Sequence, residues 1–471
     1  MSKTTKVIKN LKEAIEKAGI EDGMTISFHH HFRDGDILLN KVMDIIAAMG
    51  VKDLTLVATS LRNKHNKLIK HIKNNVITKI YTSGLRGELG EEIQKGIMRE
   101  PVTIYSHGGR AGAISTGRIK IDIAFIAASC SDRLGNMTGI KGSATCGSLG
   151  YAKVDALHAD KVIGVTDTLV DYPAEIISIS QKHVDFLVII DSIGDSDKIA
   201  TGSLRKAENP KNNIIADNVV KVIKSLSEFK NGFSLQTGSG SISLSILSSL
   251  KKELKANKMK GSFLLGGITV DHVGLLEEGY FNKIFDTQTF DPVAAHSLYK
   301  NYNHQEIDAE LYASYFTKSS LVESLDIVVL SALEVDLDFN VNVLTGVDGG
   351  FRGASGGHSD TAAGSEVSIV AIPTRRGRIP TIRDSVTTII TPGRDIDIIV
   401  TEKGISINPD SDVVLSEFDK QGLKIIDIVE LKDEVESITG KPKNPVFSDK
   451  VVAEIEYRDG SIIDIVRGFN D

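Results

Sequence analysis

Cysteine is scarce: only Cys130 and Cys146 occur in 471 residues, with neither CxxC spacing nor a histidine pair in register. That excludes a disulfide framework and a thiolate zinc site, and it points to a reducing, cytoplasmic compartment. An excess of positive charge is also missing. Against 55 Lys and Arg stand 62 Asp and Glu, a net charge of -7, so no overall field gathers nucleic-acid phosphates or anionic lipid. An anionic ligand must then be held by a local set of arginines, backbone N–H groups or helix N-termini. No run approaches the ~18 apolar residues of a membrane helix, and stretches such as Ile123 to Ala128 and Phe186 to Ile190 are of strand size. The N-terminus lacks the apolar centre of a signal peptide. Val7, Ile8, Leu11, Ile15 and Ala18 instead fall at helical spacing among lysines and glutamates, which predicts an amphipathic helix capping the first domain. Nucleophile elbow, Walker loop and zinc-hydrolase helix are all missing.

What is present is an ordinary globular composition, 41% apolar and 25% charged, long enough for about three domains or two large ones. Short apolar runs alternate with helical patterns: Thr25 to Phe28 then Ile37 to Met49, Leu54 to Ala58 then Asn63 to Lys73. This predicts an open α/β architecture on a buried parallel sheet. Glycine concentrates at 84–90, 107–117, 139–150, 238–240 and 346–357, the strand-to-helix turns where ligands bind in such folds.

The chain also repeats itself. IDIAFIAASCSDRLGN, from Ile121, and LDIVVLSALEVDLDFN, from Leu325, align without a gap at a spacing of 204 residues, and Asp132 and Asn136 match Asp336 and Asn340. Thr138-Gly139 and Thr345-Gly346 follow, and GMTISFHHHFRDGD from Gly23 parallels GFSLQTGSGSISLSI from Gly232. The expectation is two related open α/β domains, 1–228 and 229–471. The linker is placed near Asn209-Pro210-Lys211-Asn212 or Glu228 to Gly232, and the second domain ends in a hairpin turning at Glu456 to Ser461.

Five local patterns bear on chemistry. His29, His30 and His31 follow a strand-like run with no acidic or cysteine partner at ligand spacing, so they are expected to line substrate or a turn and not to hold a metal. Thr237, Gly238, Ser239 and Gly240, after Gln236, precede a helical run; the segment is either a tight turn or an anion cradle, and it is not a dinucleotide fingerprint. Gly356, Gly357 and His358 sit in a stretch that permits close backbone approach, suited to stabilising the oxyanion of an acyl transfer. Gly108, Gly109 and Arg110, after His107, suit a carboxylate, with a salt bridge as the alternative. Arg375, Arg376 and Arg378 suit either a phosphate-bearing ligand or solvent.

GMTISFHHHFRDGD, SDRLGNMTG, LQTGSGSISLS, SALEVDLDFNVNVLTG and GASGGHSDTA together resemble the coenzyme A transferases, and within them the citrate lyase alpha-chain family. TTIITPGRDIDIIVTEKG extends the likeness over nearly the whole chain. The resemblance implies two similar α/β domains with the active site between them. It implies exchange of the acetyl group on an acyl carrier (gamma) subunit for citrate, releasing acetate, after which a beta subunit cleaves the citryl group. No cofactor is implied on this chain, and an oligomeric complex is. The carrier's phosphoribosyl-dephospho-coenzyme A arm bears the acyl group, with acetyl-coenzyme A as its surrogate. Where related transferases carry a covalent glutamate in a Gly-Ile-His-Thr-Glu-like stretch, this chain reads Gly267-Ile268-Thr269-Val270-Asp271. Asp271 is the shorter substitute. The alternative is attack by the substrate's own carboxylate to give a mixed anhydride, with Glu334 beside Asp336 read as structural. Gly238 to Gly240, Gly356 and Gly357 are then the expected N–H donors, and Arg110, His29 and His31 the expected citrate contacts. The remaining readings are a same-fold transferase or acyl-coenzyme A hydrolase for another acid, such as citramalate, a non-catalytic metabolite sensor, and a sugar-phosphate isomerase, which the duplication disfavours.

Overall fold

The computed structural model describes residues 5–199, 210–238, 240–413, 421–443 and 445–470; Ser239, expected as an N–H donor, lies outside them. β-Branched runs alternate with amphipathic helices to build two open, mostly parallel sheets. The central strand Ile123–Ala127 is buried along its whole length, as a strand covered by helices on both faces must be. Helix Leu38–Ala48 buries Leu38, Leu39, Val42, Met43 and Ile46 against that sheet, the stripe its sequence spacing prescribes.

The first sheet runs Val7–Ile8, Phe186–Ile189, Lys161–Thr166, Ile123–Ala127, Thr25–Phe28, Leu54–Ala58, Ile77–Thr82 and Val102–Ile104, all parallel. The amphipathic N-terminal pattern divides in two. Val7 and Ile8 form an edge strand, and the helix is Leu11–Ala18, started by the Asn10 side chain accepting from the Glu13 N–H and ended at Gly19 with φ +75°.

The C-terminal hairpin forms as read from its turn, but it does not close the second half. Phe447–Glu456 pairs in parallel with Val102–Ile104, and Ile462–Phe469 pairs antiparallel beyond it. Val452, Ala453, Ile455 and Val466 thereby bury themselves in the core of the first sheet. Val102–Ile104 would otherwise be an exposed edge with unpaired N–H and C=O groups. The turn expected at Asn209 to Asn212 is, from Pro210 onward, the first turn of helix Pro210–Ser225, since proline at the first helical position gives up an N–H that has no helical partner anyway.

The second sheet runs His304–Glu306, Phe281–Thr289, Gly261–Ile268, Leu235–Thr237, Ile327–Ser331, Val367–Ala371, Ile398–Val400 and Ile405–Ile407, antiparallel only at the last strand. The duplication is visible atom by atom. Asp132 accepts from the Asn136 side chain and the N–H groups of Leu134, Asn136 and Ala174; Asp336 accepts from the Asn340 side chain and the N–H groups of Asp338, Asn340 and Val386. Asp122 likewise receives the Thr25 N–H, and Asp326 the Ser234 N–H. These carboxylates are shared because each makes the same irregular turn, whose N–H groups need acceptors.

The halves meet at the C-terminal ends of their strands. Ser355 N–H donates to Ser83 O at 2.7 Å, His107 N–H to Gly356 O at 2.7 Å, and Ser148 N–H to Thr289 Oγ1 at 2.9 Å. The approach is close enough to demand glycine: a Cβ on Gly84 would lie 2.4 Å from Ala354 Cβ, and one on Gly108 would lie 2.0 Å from Ala313 O.

Candidate active site

Between the two sets of strand ends lies a cavity of about 540 Å³. The first half contributes Arg86, His107 and Tyr151; the second contributes Gln236 to Gly238, Gly240, Gly266, Gly267, Thr287, Gln288, Phe290, Tyr312, the segments 330–333 and 352–358, Val343 and Arg376. The cavity lies at the C-terminal ends of the strands, where ligands bind in open α/β sheets: Gln236, Thr287 and Gln288 stand near the ends of strands Leu235–Thr237 and Phe281–Thr289, Arg86 and Arg352 in loops, and Tyr151 and Tyr312 on helices Gly150–His158 and Ala309–Ala313. Gly267 leaves the space that Phe290 fills, because a Cβ there would sit 1.9 Å from the Phe290 ring.

The electrostatics have one sign. Arg86, Arg352 and Arg376 reach the wall, and among its described residues there is no Asp or Glu. Arg86 Nε donates to Arg352 O at 3.2 Å, and burial lowers the affinity of its guanidinium for the proton. Arg352 also pairs with Asp348 at 2.7 Å. The imidazoles are neutral. Burial pulls His107 down to about 3 and His358 down to about 4, while the Tyr312 and Tyr151 hydroxyls are pushed up and stay protonated. The His107 ring lies 4.5 Å from Tyr151, which in turn stacks on His30 at 5.3 Å and on His31 at 5.5 Å. Several buried polar atoms have no partner among the described residues: His107 Nδ1, Gln236 Oε1, Thr287 Oγ1 and Gln288 Nε2. Buried groups are nearly always paired, so unpaired ones gathered at a cavity mark a place where a ligand supplies the partners.

The residues expected from sequence divide into two sets. Thr237, Gly238, Gly240, Gly356, Gly357 and His358 all line the cavity, Gly356 at φ +59°. His29 and His31 are buried behind it, His29 Nε2 accepting from Ala127 N–H at 3.0 Å and held near 4 by burial. Gly108 and Gly109 are buried in the first turn of helix His107–Ser115, and neither is in the wall. Arg110, expected at a carboxylate of the substrate, is taken by the protein's own. Its two terminal nitrogens donate to both oxygens of Asp155 at 2.8 Å, with the side chains 3% and 1% exposed. Asp271 sits in the first turn of helix Val270–Glu277, away from the wall. Glu334 pairs with Arg383 at 2.5 Å and accepts from Asn342, the structural place expected for it. Of the arginine cluster only Arg376 reaches the cavity, anchored to the carbonyls of Ala332 and Leu333 at 2.6 and 2.8 Å.

Arg86, Tyr151, Thr287, Gln288, Tyr312 and Arg352 were not anticipated. Arg86 and Arg352 fall inside two of the glycine-rich stretches, and Gln288 near the end of a long strand, so position carried a signal that residue type did not. Among the described residues no three His, Cys, Asp or Glu side chains are placed to share a metal, and no helix is long and apolar enough to cross a membrane.

The family profile "Citrate lyase, alpha subunit (CitF)" matches residues 4–469. A citrate lyase alpha chain of Haemophilus influenzae is 48% identical over 470 residues, covering 100% of this chain and 94% of that one; its Escherichia coli counterpart is 48% identical over 461 residues, 98% and 90%. A Streptococcus mutans protein described as an alpha subunit of citrate lyase, solved in complex with citrate, superposes with a TM-score of 0.97 at 51% identity, covering 100% of this chain and 92% of that one. A malonate decarboxylase alpha subunit from Acinetobacter baumannii shares the fold, with a TM-score of 0.68 at 15% identity over 88% of this chain and 83% of that one.

Proposed function

The chain belongs to the citrate lyase alpha-subunit family, and from that premise we propose that it exchanges acetyl for citrate on an acyl carrier subunit and releases acetate. The observation that carries this reading is the cavity wall, with three arginines and, among its described residues, no carboxylate. A tricarboxylate fits such a wall, and a covalent acyl-carboxylate enzyme does not.

The exchange needs no protein nucleophile. A citrate carboxylate oxygen attacks the acetyl thioester carbon, the C–S bond breaks, and the arm leaves as thiolate. The thiolate then attacks the citryl carbonyl of the mixed anhydride, the C–O bond breaks and acetate departs. Charge is conserved and no proton moves, which suits a site whose imidazoles are neutral and whose tyrosines are protonated. Both steps pass through tetrahedral oxyanions. Arg86, Arg352 and the N–H groups of Gly240, Gly356 and Gly357 are the donors we assign to them, the Gly238 N–H being spent on Val329 O at 3.3 Å, and the remaining work is alignment of the two acyl partners.

A second compartment of about 630 Å³ shares Gly240, Ser331 and Arg376 with the first and adds Lys211 and Arg375. It suits the phosphate-bearing part of the carrier's phosphoribosyl-dephospho-coenzyme A arm. The gamma carrier subunit and the beta citryl-lyase subunit are then the partners, in a cytoplasmic complex.

Incubating the purified chain with acetyl-coenzyme A and citrate should yield citryl-coenzyme A by mass spectrometry. The Asp271→Asn variant should retain the rate, with no acyl adduct on the quenched protein. An adduct on Asp271, lost together with turnover in the variant, would establish the covalent route instead. Consumption of the thioester with citramalate but not with citrate would keep the transferase and change its acid.

A further inference from the structure

Citrate at neutral pH presents three carboxylates, which only accept hydrogen bonds, and the donors in the wall answer them. One wall group has the opposite character. Gln236, at the open end of strand Leu235–Thr237, is 8% exposed; its Nε2 donates to the Tyr312 hydroxyl at 3.0 Å, and its Oε1 is buried without a partner among the described residues. The amide is fixed from both sides. Gly266, at φ +99°, leaves room that a Cβ would take at 3.0 Å from Gln236 Cδ and Oε1, and the Tyr312 hydroxyl occupies space where a Cβ on Gly357 would come within 2.6 Å.

A buried carbonyl oxygen left unpaired costs roughly 1–3 kcal/mol. Thr287 Oγ1 and His107 Nδ1 are also unpaired, but a hydroxyl can rotate, and a neutral imidazole can change tautomer, to present hydrogen to a carboxylate. With its NH2 group held by Tyr312, the amide oxygen of Gln236 can only accept.

Citrate has one donor to offer, its tertiary hydroxyl. We infer that Gln236 Oε1 accepts from that hydroxyl and makes Gln236 the residue that selects a hydroxyl-bearing tricarboxylate over the same acid without it. This rests on the citrate reading above. The logic is the asymmetry of polar recognition: a site built around a substrate hydroxyl is left with a desolvated acceptor when the hydroxyl is missing, whereas an apolar site hardly discriminates.

The test compares citrate with propane-1,2,3-tricarboxylate, which keeps all three carboxylates and lacks only the hydroxyl. Calorimetric affinity is measured on the full chain, and transfer from acetyl-coenzyme A is followed beside it. The unaltered protein should bind citrate tighter by about 10- to 100-fold. Gln236→Met, close in volume and without the acceptor, should lose most of that factor on citrate, keep its affinity for the deoxy acid, and so bring the ratio near one. Equal affinity of the unaltered protein for the two acids would overturn the inference even if the variant failed to fold. A loss of both affinities in parallel in a folded variant would overturn it too, and would leave Gln236 as a packing residue. Binding and turnover of neither acid would overturn the citrate reading and this inference together, whereas transfer from acetyl-coenzyme A to both acids at equal efficiency would overturn the inference alone.

Discussion

Replacing Arg110 with alanine is expected to cost about 3–5 kcal/mol of unfolding free energy and to leave the citrate affinity of the folded protein unchanged. Both oxygens of Asp155 are held by this guanidinium at 2.8 Å, with both side chains almost wholly buried. The pair ties helix His107–Ser115 to helix Gly150–His158, which carry the cavity residues His107 and Tyr151. Truncation strands a carboxylate whose side chain is almost wholly buried, and the loss reflects that stranded charge more than the value of the pair itself. A double replacement, Arg110→Met with Asp155→Leu, should therefore recover most of the stability, because apolar side chains of similar volume dispense with the desolvation of both ions. Denaturant unfolding of the three variants, with citrate titrated into the folded forms, separates this role from substrate binding. A drop in affinity of about tenfold or more at undiminished stability would return Arg110 to the substrate.

Arg110 also shows where a sequence stops being readable. His107-Gly108-Gly109-Arg110 announces a flexible backbone beside a guanidinium, and nothing local tells whether the carboxylate it meets is a ligand's or the protein's. Asp155, 45 residues away, decides it. The alternation of strand and helix was legible because burial on a sheet imposes a period, and the repeat because two like turns need like acceptors, Asp132 and Asp336. The destination of the hairpin was not, since either sheet offered an edge and the turn residues set only the local reversal. For the site, Gly238, Gly240, Gly356 and Gly357 were readable as turns that admit close approach. Tyr151 and Tyr312 were not, because a tyrosine facing a cavity and one facing the core follow the same helical spacing.

Asp360 should make the stability of the two-half assembly fall as the solution is made less acidic. It stands on helix His358–Gly364, takes the Ser106 hydroxyl at 2.6 Å and the Gly108 N–H at 2.8 Å, and so links the second half to the first turn of the helix that begins with His107. Burial, against weaker help from these two donors and from Arg458, pushes its carboxyl up from 3.8 to about 6. A raised acid binds its proton more tightly in the folded protein than in the unfolded chain. Its contribution is therefore complete below the unfolded value of 3.8 and is lost as pH rises through about 6. The full difference is about 3 kcal/mol, from about 1.4 kcal/mol for each unit of displacement. Asp360→Asn keeps the shape and offers one oxygen to the Gly108 N–H and its amide to the Ser106 hydroxyl, without the titration. The stability of the unaltered protein relative to this variant should fall by about 2 kcal/mol of that difference between pH 4 and 6.5, and comparing the two cancels the other buried carboxylates. A flat difference across that range would mean that Asp360 carries an ordinary charge, stabilised by its two donors as fully as water would stabilise it. Activity adds a second reading. Asp360→Ala leaves the Gly108 N–H and the Ser106 hydroxyl without their acceptor, so the His107 end of the helix loses its hold on the second half. The turnover number should then drop more than the affinity for citrate does, while Asp360→Asn restores it, because the residue positions the cavity walls and does not touch the acid between them.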